Sequence, residues 1–64
     1  GTMKLKPDFK AAFAALSLEA TKGNVLAMDD LGKMFAYGMG REIDPAVAYE
    51  WYSLALKGFL ELYP

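Results

Sequence analysis

Apolar residues recur at helical spacing in three stretches of the chain, and glycine-bearing breaks separate the stretches. In the first, Phe9, Ala12, Phe13, Leu16 and Ala20 fall three or four residues apart and make one apolar stripe. Asp8, after Pro7, has a carboxylate suited to the free amides of a first turn. Gly23 supplies a left-handed stop, and Lys22 sits where a helix exposes its carbonyls. These signals predict a helix over roughly 8–22. Asn24 caps a second, over roughly 25–37, which Gly38 ends. Its inward face is Met28, Leu31, Gly32 and Phe35, flanked by Ala27 and Met34. A mid-helix glycine costs about 1 kcal/mol relative to alanine, so Gly32 predicts a neighbouring helix that crosses closely. Asp44-Pro45 reads as N-cap plus N1 proline. It opens a third helix over roughly 45–57, with Ala48, Trp51, Tyr52 and Ala55 inward and Gly58 as the expected stop. Residues 59–64 then read as the stub of a following helix or a C-terminal extension. Residues 1–7 read as tag and linker, because Gly1-Thr2 ahead of Met3 looks like a cloning remnant.

The first and third stretches resemble each other. At an offset of 36, Asp8 matches Asp44, Ala12 matches Ala48, Phe13 matches Tyr49, Ser17 matches Ser53 and Leu18 matches Leu54. The Lys22-Gly23 and Lys57-Gly58 ends match at an offset of 35. A period in the mid-thirties, with two helices per unit, is the sequence signature of an α-solenoid. Ala27, Leu31-Gly32, Phe35, Gly38-x-Gly40, Asp44, Ala48 and Trp51-Tyr52 together resemble the Sel-1-like repeat, a relative of the tetratricopeptide (TPR) repeat. The resemblance spans about Asp8 to Gly58. Arg41 departs from it, standing where the family usually has a small apolar residue, and Phe35 replaces the commoner tyrosine. What the resemblance implies is an all-α fold of antiparallel helix pairs, about one and a half repeats long. Asn24 to Gly58 would be the complete unit, within a longer solenoid.

Composition narrows the chemistry. The 64 residues are 55% hydrophobic and 23% charged, carry a net charge of −1, and include neither cysteine nor histidine. Disulfides are excluded, and so are most zinc and copper sites. No basic stripe exists to displace counterions from phosphate, so nucleic acid is not an expected partner. No apolar run approaches the ~20 residues that span a bilayer, so neither is a membrane. No signal peptide is visible; with the absence of cysteine this leans slightly towards the cytoplasm, and the compartment is otherwise unassigned.

No grouping of residues suggests catalysis. Asp29 and Asp30 are adjacent, so on a helix they point about 100° apart and do not converge on a metal. Gly38-Met39-Gly40 lacks the third glycine and the preceding strand of a dinucleotide loop. Trp51-Tyr52 could stack a ligand, but an inward aromatic ridge reads as core. Ser17 and Ser53 have no activating base nearby. The expected protein is therefore not an enzyme and needs no cofactor or metal.

The expected function is a scaffold for protein–protein contacts. In TPR relatives, partners meet the inner wall formed by the first helix of each unit, and the resemblance carries that role to Asp29, Lys33, Ala36 and Tyr37. A protein or peptide partner would bind there. The alternative is a structural or accessory segment of a larger repeat protein. Such a segment would self-associate, as a homodimer, through Phe59, Leu60, Leu62 and Tyr63, with Phe9 and Phe13 contributing at the other end.

Overall fold

The computed structural model describes residues 8–63. Three helices follow in order: α1 (Phe9–Thr21), α2 (Val25–Tyr37) and α3 (Pro45–Leu62). No strand occurs among the described residues, and the fold is all-α. The expected tag and linker, residues 1–7, and Pro64 lie outside the described residues.

Each helix starts on the residue expected to cap it. The Asp8 carboxylate accepts from the Ala11 amide at 3.0 Å, and Asp44 does the same for Val47 at 3.2 Å. The Asn24 side-chain oxygen accepts from the Leu26 and Ala27 amides at 3.1 and 3.4 Å. Replacing such a cap by alanine typically costs about 1 kcal/mol. The α1–α2 corner is a Schellman turn. Asn24 N donates to Glu19 O at 3.1 Å, Gly23 N donates to Ala20 O at 3.0 Å, and Gly23 has φ +90°.

α2 is the central element. It packs against both α1 and α3, while no Cα of α1 comes within 8 Å of one of α3. This is a layered succession of helices, as opposed to a closed three-helix bundle. Ala20, Ala27, Leu31 and Met34 form the buried centre, with Phe9, Phe13, Leu16, Met28 and Trp51 packed around it. Leu31 has 0% exposure and is the largest side chain to be fully enclosed. The expected α1 stripe and the inward residues of α3 all lie on the packed sides. On α2 the order of burial differs from expectation. Ala27 and Met34 are buried, whereas Met28 and Phe35 are half-buried. A helix flanked on two sides buries a wider arc than a single-faced one, and Ala27 and Met34 face into it.

Gly32 is explained by geometry. A Cβ there would lie 2.5 Å from Tyr52 Cε1 and 2.6 Å from Tyr52 Cδ1. The absence of a side chain lets one edge of the α3 tyrosine ring pack closely against α2.

Gly58 does not stop the third helix. α3 continues through it to Leu62, so residues 59–62 prolong the same helix and do not begin another. The contrast with Gly23 has a local cause. Asn24 follows Gly23 and caps a new helix, whereas Phe59-Leu60-Glu61-Leu62 follows Gly58 and contains neither cap nor breaker. A mid-helix glycine costs only about 1 kcal/mol, too little by itself to end a helix that no following residue interrupts.

Candidate partner-binding face

The backbone of α2 carries the expected contact residues on one side. Asp29, Lys33 and Tyr37 are spaced four apart and Ala36 lies beside them, so all four share a face. Asp29 Oδ2 and Lys33 Nζ form an ion pair at 3.3 Å, with both side chains about half exposed. The carboxylate, as hydrogen-bond acceptor first and as charge second, holds the Lys33 ammonium above the usual lysine pKa. Tyr37 is 72% exposed on the last turn of α2. Ala36 is half-buried against the packed side.

Two apolar grooves flank this ridge. One, of about 360 Å³, lies between α2 and α3 and is lined by Val25, Leu26, Asp29, Tyr52, Leu56 and Phe59, among others. The other, of about 180 Å³, lies between α1 and α2, with Phe9, Ala12, Leu16, Met34 and Lys33 in its walls. Asp29 belongs to the first groove and Lys33 to the second, so their ion pair bridges the crest between them.

Tyr52 joins this site although its sequence position marks it only as core. Its ring lies over Gly32 and lines the α2/α3 groove. Burial pushes its phenol pKa up, with smaller contributions from Tyr37 and Asp29. The i, i+4 pattern of α2 could not reveal it, because Tyr52 arrives from a different helix.

Arg41 is the second such residue. Its guanidinium stacks 3.6 Å from the centroid of the Phe13 ring and 4.7 Å from that of Phe35. The two rings meet edge to face at 6.0 Å. Asp44 N donates to Phe35 O at 2.9 Å, which folds the α2–α3 loop back onto the end of α2. Arg41 thus clamps the α2–α3 loop against aromatic rings of α1 and α2.

The second set of expected contact residues sits at the far end of the hairpin. Phe59, Leu60, Leu62 and Tyr63 are all exposed. The rings of Phe59 and Tyr63 lie 4.8 Å apart. With Leu62 they wall a groove of about 310 Å³ against Gly23, Asn24, Val25 and Leu26. The two sets of residues are not brought together: Tyr37 ends α2, whereas Val25, beside Phe59, begins it.

Among the described residues there is no group of three or more potential metal ligands. Nor, among them, is any helix long and apolar enough to cross a membrane. No protein-family model matches the chain, and neither curated proteins nor solved structures give a match.

Proposed function

We propose that this chain is a non-catalytic protein-interaction module of the Sel-1-like, TPR-related kind, which binds a protein or peptide segment along the exposed face of α2. The observation that carries the reading is the combination on that face. An exposed tyrosine and a half-exposed ion pair line a ridge with an apolar groove on either side. Tyrosine offers apolar area and a polar tip at low entropic cost, which suits contact positions. The ion pair would fix register more than affinity. The layered packing of α1, α2 and α3 supports the repeat reading, because stacking without closure leaves such faces open.

The test is a displayed peptide library selected against the chain, with the selected peptides then titrated against Tyr37→Ala and Lys33→Glu. Binding weakened roughly tenfold or more in both variants is the expected result. Peptides that bind both variants as tightly as the parent chain would refute the assignment of this face.

A second reading is supported by the exposed row at the end of α3. In it, the chain is a structural or accessory segment of a larger repeat protein that associates with itself through Phe59, Leu60, Leu62 and Tyr63.

A further inference from the structure

We infer that the α2/α3 groove receives an amphipathic helix of a partner protein, whose contacting face repeats the one that α2 turns towards α1. This rests on the interaction-module reading. It chooses one of the two grooves beside the α2 ridge and one kind of ligand for it.

The internal repeat supplies the argument. α1 meets α2 through Phe9, Phe13, Leu16 and Ala20, which pack with Ala27, Leu31 and Met34. At the offset of 36, Phe13, Leu16 and Ala20 correspond to Tyr49, Tyr52 and Leu56 of α3. α3, however, meets α2 on a different side. Its buried residues are Ala48 and Ala55. Tyr49 follows the first and Leu56 the second, so each lies about 100° further round the helix, beside the α2 contact and not in it. The side that α1 packs against a helix is therefore open on α3. Ala20 is 4% exposed, whereas Leu56 is 59% and Tyr49 is 72%. This open side borders the groove of about 360 Å³ that Tyr52 and Leu56 form with Leu26 and Asp29 of α2. A helix seated there would rest on α3 as α2 rests on α1.

The α1–α2 packing also specifies the ligand. The two helices are antiparallel across the Gly23-Asn24 corner, so the order Ala27, Leu31, Met34 along α2 runs against the order Ala20, Leu16, Phe13 along α1. The partner helix accordingly lies antiparallel to α3 and carries apolar residues at i, i+4 and i+7. The first meets Leu56, the second Tyr52 and the third Tyr49. Leu56 is larger than its counterpart Ala20, so position i takes alanine or glycine. Asp29 is the one charged residue among the described residues that line the groove, and the remaining wall is apolar. A second folded copy of this chain does not supply such a face, because its own Ala27, Leu31 and Met34 are buried beside α1.

A fluorescently labelled peptide of residues 24–38 carries the required face and serves as the probe. Titrated with the intact chain and followed by anisotropy, it is expected to bind saturably with a dissociation constant below about 1 mM. Helical circular dichroism of the mixture should exceed the sum of the parts, since so short a helix forms poorly alone. Leu56→Glu and Tyr49→Glu, at exposed positions of the chain, should each weaken binding at least about tenfold while the variants alone keep the parent's circular dichroism. Leu54→Glu, about 160° round α3 from Leu56, should leave it within about twofold. No binding up to about 1 mM, or binding without gain of helix, would overturn the inference. So would binding that survives Leu56→Glu, which is the result if the peptide merely replaces the chain's own α2 beside α1. The reading of the α2 ridge fails separately, through library peptides indifferent to Tyr37→Ala and Lys33→Glu.

Discussion

Substitution of Gly32 by alanine sets two known effects against each other in one position. Alanine is favoured over glycine in a helix interior by about 1 kcal/mol. The added methyl, however, would stand 2.5 Å from Tyr52 Cε1, 2.6 Å from Cδ1 and 3.0 Å from Cζ. Ordinary carbon contacts lie near 3.5–4.0 Å, so the ring must retreat by about 1 Å. Tyr52 is half-buried between α2 and α3, so its ring must swing away from α2 towards the groove it lines, giving up its contact over Gly32. Overpacking of this sort costs about 1–3 kcal/mol. The net expectation is a loss of about 1 kcal/mol, and Gly32→Val should lose about 2–4 kcal/mol because branching adds bulk and lowers helix propensity. Urea unfolding followed at one fixed protein concentration measures both.

The sign is the sharper test. In a Tyr52→Leu background the ring is gone and a smaller, flexible side chain stands in its place. Gly32→Ala should then be neutral or stabilising, by up to about 1 kcal/mol. The double-mutant cycle should therefore show a coupling of about 1 kcal/mol or more between positions 32 and 52. If Gly32→Ala stabilises the parent chain by the full propensity gain, or shifts both backgrounds equally, then the tyrosine ring does not determine the need for glycine and the reasoning fails.

Gly58→Ala should instead stabilise the chain by about 0.5–1 kcal/mol, because a Cβ there meets only Val25 methyls at 3.6 and 3.7 Å; Gly23→Ala should destabilise it by about 1 kcal/mol, the φ of +90° being strained for any side chain. Paired thermal melts decide this, and equal shifts for both would contradict the continuous α3. Arg41→Ala should cost about 1–2 kcal/mol through the loss of its stacking on Phe13 and Phe35, and Arg41→Lys should recover only part of it, as read from urea melts of Trp51 fluorescence. Stability should fall as pH rises above about 10. Both Tyr52 and Lys33 have raised folded-state values, so their contributions are complete below the unfolded pKa and lost as pH climbs through the folded one. Tyr52→Phe should reduce that alkaline slope, and an unchanged slope would place its origin elsewhere.

Legibility in the sequence tracks the range of each signal. Asp8, Asn24, Asp44 and Gly23 act within three or four residues of themselves, and each does in the structure what its position implies. The stripe on α1 and the inward residues of α3 are legible for the same reason: a period of 3.6 needs no knowledge of the neighbour. Gly32 announces that something comes close, but only the fold shows that it is the edge of Tyr52. Gly58 carries the same Lys-Gly signal as Gly23 and behaves differently, because the residues after a glycine decide whether a helix can resume. Arg41 lies beyond local rules. Its partners, Phe13 and Phe35, sit on two different helices, and a cation over two rings cannot be inferred from spacing within one. The candidate face divides in the same way. Asp29, Lys33 and Tyr37 form a stripe visible in one helix, whereas the grooves beside it exist only after three helices pack.

The thinness of the core bears on both proposals. Four of the six buried hydrophobic residues are alanines, and only Leu31 among the large side chains is fully enclosed. Alanine lets helix axes approach, but each buried methyl returns only about 0.8 kcal/mol. Ordering a residue costs about 1.5 kcal/mol, and a chain of this size has no disulfide to restrain its unfolded state. Many of the large apolar side chains that would offset that cost face solvent, among them Leu18, Leu26, Tyr37, Tyr49, Leu54 and the row at the end of α3. Their stabilising value is realised only when a surface covers them. The midpoint of thermal unfolding should therefore rise with protein concentration, since a species that binds the folded chain alone stabilises it by mass action, by about 2.7 kcal/mol at a hundredfold excess over Kd. Leu62→Glu should remove that dependence while barely altering the midpoint in dilute solution. A midpoint independent of concentration over a hundredfold range would mean that the three helices suffice alone, and that the exposed row serves a different partner.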